Sequence, residues 1–368
     1  MPISPVDYDA IIIDTSIFDG NGLNLEGGLL GKLRQFKRSP TDLIIPDVIE
    51  QEVLSHLSKK VQEKIQTLNK ALGDAKNHIF EESVDLLEAA QKLEIKFDAS
   101  KIAESRFETF IDNTNAKKIK CGDYTDICTL INQYFTSSPP FSDKKKNEFP
   151  DAIVLNSIKK WSEEEKKIVL IVSKDNDWKL FCDQVSVKTM EYCESLSDAL
   201  ALFNNSPFLI LEQIEELIKQ EDPNLIKNIG SALELALNGF SPIQDADSFF
   251  YWEPDGCDGY FSSFSFISDQ CRVIDHSDSY IVLEAQVEII ANVLGEFSLY
   301  GYDTCDGDHV YLGSVESKKE QDFETKILIT FTGEITEEAD LADLEIENVE
   351  IVKLPERVNF GTLEIQFD

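Results

Sequence analysis

Hydrophobic and polar positions follow two different rhythms along this chain. In the first half, short runs of consecutive apolar residues alternate with longer stretches of helical spacing. Residues 8–14 are an apolar run ending in Asp14, Leu43-Ile44-Ile45 a second one stopped by Pro46, and Lys167 to Ser173 the strongest of the set. Continuous apolar runs of that length predict strands buried on both faces. A further short strand is expected at 185–188. Between the runs, Leu29, Leu30, Leu33 and Phe36 share one face of a predicted helix over 26–36. Val48, Ile49, Val53 and Leu57 do so on a helix beginning near Asp47. Residues 58–135 are rich in Lys, Glu, Gln, Ala and Leu, which predicts three or four helices. The segment around Ser137-Ser138-Pro139-Pro140 is a loop, and another helix opens at Asp151 with Ile153, Val154, Ile158 and Trp161 apolar. Strands alternating with helices imply an α/β unit with a mostly parallel sheet.

The rhythm changes after about residue 205. Two amphipathic helices are predicted over 208–220 and 225–238, split by Pro223. From about 247 the period becomes two: Ile281, Leu283, Ala285, Val287, Ile289 and Ala291 point one way, and the intervening residues the other. Phe323, Thr325, Ile327, Ile329 and Phe331 repeat the alternation. That pattern predicts an antiparallel β domain, sandwich or barrel. The expected organisation is an α/β domain over 1–205, a helical linker over 206–245 and a β domain over 246–368.

Four acidic residues stand where strands end or helices begin: Asp14, Glu52, Asp151 and Asp175. In a parallel α/β sheet those points converge on the carboxyl edge, where ligands bind. Carboxylates gathered there call for a hard divalent cation such as Mg²⁺. Glu50 competes with Glu52, but positions two apart on a helix point about 200° apart, and Glu52 lies nearer the buried face. Asp177 competes with Asp175, which sits directly at the strand end. Glu148, three residues before Asp151, is a candidate fifth acid. Thr15 and Ser16 are placed to hold Asp14 or a metal-bound water; equally, they are ordinary turn residues. Ser173 belongs to the same strand end as Asp175.

The order Asp14-Thr15-Ser16, Glu52, Phe149-Pro150-Asp151-Ala152-Ile153 and Ser173-Lys174-Asp175 resembles the PIN domain of metal-dependent ribonucleases. Pro139-Pro140-Phe141 followed by lysines and Glu148-Phe149-Pro150-Asp151-Ala152 resembles a segment of its longer members. The resemblance covers about residues 8–205. It implies a PIN-like Rossmannoid sheet with a helical insertion, Mg²⁺ or Mn²⁺ as cofactor, and endonucleolytic cleavage of RNA, with DNA the alternative. It also implies catalytic roles for Asp14, Glu52, Asp151 and Asp175, with Asp14, Asp151 and Asp175 as metal ligands, and it is compatible with a toxin or defence effector. A PIN-like scaffold without catalysis is the competing reading.

Charge separates the two halves further. Of a formal −35, residues 207–368 carry −27, with 8 basic and 35 acidic side chains. Such a surface repels nucleic acid, so the C-terminal part is expected to meet a protein partner or to self-assemble. Phosphate contact is expected from Lys144, Lys145 and Lys146, with Lys117, Lys118 and Lys120 as a second cluster. Tyr124, Phe141 and Trp178 are either base-stacking groups or core. Seven cysteines without a CxxC pair, and no run long and apolar enough for a membrane helix, lead to the expectation of a cytoplasmic protein.

Overall fold

The computed structural model describes residues 8–78, 84–93, 98–142, 148–184, 189–204, 208–303 and 307–364. Lys144, Lys145, Lys146 and the strand expected at 185–188 lie outside them. The chain divides into two compact units, Met1–Leu202 and Phe203–Asp368.

The first unit is built on a five-stranded sheet, all parallel, in the order β3-β2-β1-β4-β5. Its strands are short: β1 Ala10–Ile13, β2 Asp42–Pro46, β3 Lys117–Ile119, β4 Val169–Val172 and β5 Met190–Cys193. Every residue of β1 and β4 is buried, because helices cover both faces of the sheet. Those helices are α1 Thr15–Gly20, α2 Gly28–Gly31, α3 Asp47–His78, α4 Val84–Leu93, α5 Ala99–Thr114, α6 Cys121–Tyr124, α7 Ile127–Thr136, α8 Phe149–Glu165, α9 Asn176–Gln184 and α10 Leu196–Phe203.

Local signals explain the helix ends. Asp98 and Asp126 accept backbone N–H groups at the starts of α5 and α7, and Asn115 takes the left-handed conformation that ends α5. Pro150 opens α8 where its missing N–H costs nothing.

Two expectations need correction. The helix predicted over 26–36 is only α2, followed by a tighter 3₁₀ turn over Lys32–Arg38. A Cβ on Gly31 would stand 2.9 Å from the Glu26 carbonyl oxygen, so this close turn requires a glycine. The stretch 58–135 is not wholly helical, since it contains the edge strand β3. Lys117 and Lys118 hid it from the apolar pattern; they point to solvent and form ion pairs with Asp42, and with Glu50 and Glu108.

The second unit starts with α11 Leu209–Lys219 and α12 Pro223–Ala236. Asp222 caps α12 through the N–H groups of Asn224 and Leu225. An antiparallel sheet follows: β7 Tyr251–Phe266, β8 Arg272–Ser277, β9 Tyr280–Asp303, β10 Asp308–Thr332 and β11 Glu345–Ile351. Its order is β11-β10-β9-β7, with β8 also on β9. β9 and β10, 24 and 25 residues long, run beside each other for their whole length. A parallel pair, β6 Ile243–Asp247 with β12 Arg357–Thr362, completes the unit. The odd-numbered residues of β9 from Ile281 to Leu299, Gly295 apart, share one core with Ile210, Ile214, Ile229, Leu233, Val358 and Phe360. The unit is therefore an open sheet with two helices and a short ribbon over one face; it does not close into a barrel. The two helices are part of that core layer.

Candidate active site

The site lies at the carboxyl edge of the parallel sheet, between the central strands β1 and β4. The chain leaves these two neighbours toward opposite sides of the sheet order, the arrangement that opens a crevice. Asp14 is the first residue beyond β1 and is 4% exposed. Its Oδ2 accepts hydrogen bonds from the Ser16 hydroxyl and from the Ser173 hydroxyl, the latter at 2.8 Å. Ser16 and Ser173 also accept the backbone N–H groups of Lys174 and Asp175, at 3.2 and 3.0 Å. The two serines thus tie the turn after β4 to the end of β1 and hold Asp14 in one orientation. Burial raises the Asp14 pKa, and the serine hydrogen bonds offset only part of that rise.

Asp151 approaches from the first turn of α8, where the helix N-terminus favours a carboxylate. Its pKa is nevertheless pushed up to about 8, first by burial, then by a hydrogen bond shared with Glu148 and by the charge of Asp14. The neighbouring Trp178 indole N–H works in the other direction. Asp14, Asp151 and Glu148 are therefore brought into mutual electrostatic range. Among the described residues neither Asp14 nor Asp151 has a lysine or arginine partner.

Glu52 and Asp175 flank this pair. Glu52 lies on α3 and accepts the Thr15 hydroxyl at 2.8 Å; Thr15 therefore positions Glu52, while Ser16 serves Asp14. Glu50 faces the other way and pairs with Lys118 at 2.7 Å. Asp175 is half-buried and accepts the backbone N–H of Asp177 at 2.8 Å. Asp177 lies in the first turn of α9. The acids share one edge, yet among the described residues no three His, Cys, Asp or Glu side chains stand close enough to hold a metal together.

Other candidates fall elsewhere. Phe141 and Trp178 are buried, at 2% and 1%, so they are core groups and offer no face to a base. Lys117 and Lys118 lie exposed on the edge strand and pair with Asp42 and Glu50. That Trp178 lies beside Asp151 and lowers its pKa has no signal in the sequence.

A parallel sheet with carboxylates gathered at its switch point defines a Rossmann-like α/β protein with an acidic centre. Residues 11–178 match the family model described as the PIN domain. The match spans most of the first unit; PIN domains are generally nucleases, which suggests nucleic acid as the class of substrate and supports an endonuclease. No curated protein and no solved structure matches the chain. Among the described residues no helix is long and apolar enough to cross a membrane.

Proposed function

We propose that the PIN domain is a divalent-metal-dependent endoribonuclease whose centre is Asp14 and Asp151, with Asp175 as a third ligand and Glu52 beside them. The carrying observation is that Asp14, buried, and Asp151, partly buried, lie within each other's field with no cationic partner among the described residues. The donor set is all carboxylate oxygen, which fits Mg²⁺ or Mn²⁺ better than zinc. When bound, such an ion neutralises the phosphate and lowers the pKa of an attacking water. The chain's own residues do the positioning: Ser16 and Ser173 fix Asp14, and Thr15 fixes Glu52, while Asp151 is presented by the first turn of α8. Lys144, Lys145 and Lys146 are assigned to the phosphates by sequence alone.

The test is cleavage of labelled single-stranded RNA, folded tRNA and DNA with Mg²⁺ or Mn²⁺, with EDTA controls, for wild type, Asp14→Asn and Asp151→Asn. Metal-dependent RNA cleavage should fall by about 100-fold or more in both variants. Undiminished cleavage in both would sink the assignment. Preferential cleavage of DNA would reassign the substrate. Absence of both metal uptake and cleavage in folded wild type would leave a non-catalytic scaffold.

A further inference from the structure

The outer face of the long β ribbon carries a surface with no part in the nuclease centre. The strand register places Tyr300 of β9 directly between Tyr251 of β7 and Tyr311 of β10, and Tyr302 opposite His309. Directly opposed residues of antiparallel strands project to the same face. The rings touch accordingly: Tyr251–Tyr300 at 5.9 Å, Tyr300–Tyr311 at 5.7 Å, Tyr251–His309 at 5.0 Å and Tyr302–His309 at 5.5 Å between centroids. Tyr251, Tyr302 and Tyr311 are 53%, 63% and 55% exposed. Five aromatic rings left together in water are an unusual use of surface.

Carboxylates follow immediately. Two residues along the ribbon, Glu253 lies across from Ser298, and its oxygens receive the Tyr251 hydroxyl at 3.1 Å and the Tyr300 hydroxyl at 3.5 Å. In the next row Glu296 stands opposite Glu316, both exposed. Neither β7 nor β9 contains a lysine or arginine, and β10 has none before Lys318. The face is therefore an aromatic shelf bordered by unbalanced negative charge.

We propose that this face binds an arginine-rich segment of a protein partner in extended conformation. A guanidinium is attracted to the face of a tyrosine ring and pairs in a planar fork with a carboxylate. Arginine suits both contacts better than lysine, whose ammonium is a compact, strongly hydrated charge. Alternate side chains of an extended segment repeat every ~7 Å, matching the spacing of rows along the ribbon. Nucleic acid and anionic membranes are repelled by a unit carrying −27, and a second copy of the same face would set the same acids against each other.

The test uses the full chain and a fluorescent octa-arginine peptide at about 0.15 M salt, read by anisotropy. Wild type should bind it, and bind octa-lysine more weakly. Combined Tyr251→Ala, Tyr300→Ala and Tyr311→Ala should weaken octa-arginine binding about tenfold or more. Combined Glu253→Gln, Glu296→Gln and Glu316→Gln, nearly isosteric at exposed positions, should do the same, and carries the test if the tyrosine variant misfolds. Glu212→Gln, Glu216→Gln and Glu337→Gln make the same charge change elsewhere in the unit and should alter binding less than about twofold. Equal loss in that control would reduce the effect to bulk charge and overturn the proposal. So would absence of binding, binding indifferent to the tyrosines, or a dimer of the chain that the tyrosine substitutions dissociate.

Discussion

The two five-stranded sheets of this protein use carboxylates in opposite ways. In the parallel sheet the strands are three to five residues long, and their ends crowd into one crevice. Asp14 and Asp151 are pressed out of water there, and their pKa values rise as a result. In the antiparallel sheet β9 and β10 run for 24 and 25 residues, and acids such as Glu253, Glu296 and Glu316 are spread over an exposed face. The contrast follows from geometry. Short strands covered on both faces leave only their ends for chemistry, whereas long strands covered on one face leave an extended surface for contact.

The largest expected effect that probes this contrast is in the cores. Leu170→Ala and Ile171→Ala, on successive residues of β4 that face opposite sides of the sheet, should each destabilise the first unit by about 2–5 kcal/mol in urea titrations. On β9 the cost should alternate: Ile289→Ala should reach the same range, and Glu288→Ala should stay within about 0.5 kcal/mol. Equal costs at Ile289 and Glu288 would break the comparison.

Next comes the choice between neighbouring acids on α3. Glu52→Gln should lower metal-dependent cleavage about 10–100-fold. Glu50→Gln removes only the partly exposed Lys118 pair, and should leave cleavage within about twofold and stability within about 1 kcal/mol. A reversed order would move the centre toward β3.

The smallest effect concerns a buried acid of the β unit that, unlike those of the crevice, has cationic partners. Glu284 is 2% exposed and is held by Arg272 at 2.7 Å and Lys326 at 3.0 Å. Both cations reach water, so Glu284→Gln should cost about 1–2 kcal/mol rather than the larger penalty of a fully buried pair. Thermal melts at low and high salt would check this. A loss near 4 kcal/mol would mean that the pair is as secluded as the nuclease acids.

Much of this was legible in the chain because it depends on local pattern. The runs at β1, β2 and β4 are apolar enough to declare strands buried on both faces; Asp14 follows β1 directly, and Asp175 follows β4 after Ser173 and Lys174. The period of two in β9 and β10 set the antiparallel unit apart from the rest. The edge strand β3 was illegible because it is three residues long and begins with two lysines. Residues 26–36 show a helical face, yet Gly31 packs against the Glu26 carbonyl and the turn tightens. For α11 and α12, the amphipathic pattern demanded that something cover one face but did not say what, and the answer is the odd face of β9.

The sequence by itself determined the two rhythms, the family resemblance and the placing of acids at element ends, since each is written in spacing along the backbone. Only the tertiary structure decided which side chains meet. That Ser16 and Ser173 share one oxygen of Asp14, that Thr15 holds Glu52, and that Tyr251, Tyr300 and Tyr311 lie in one row depends on register between segments up to 159 residues apart. Such register is set by packing of the whole unit, and no local pattern encodes it.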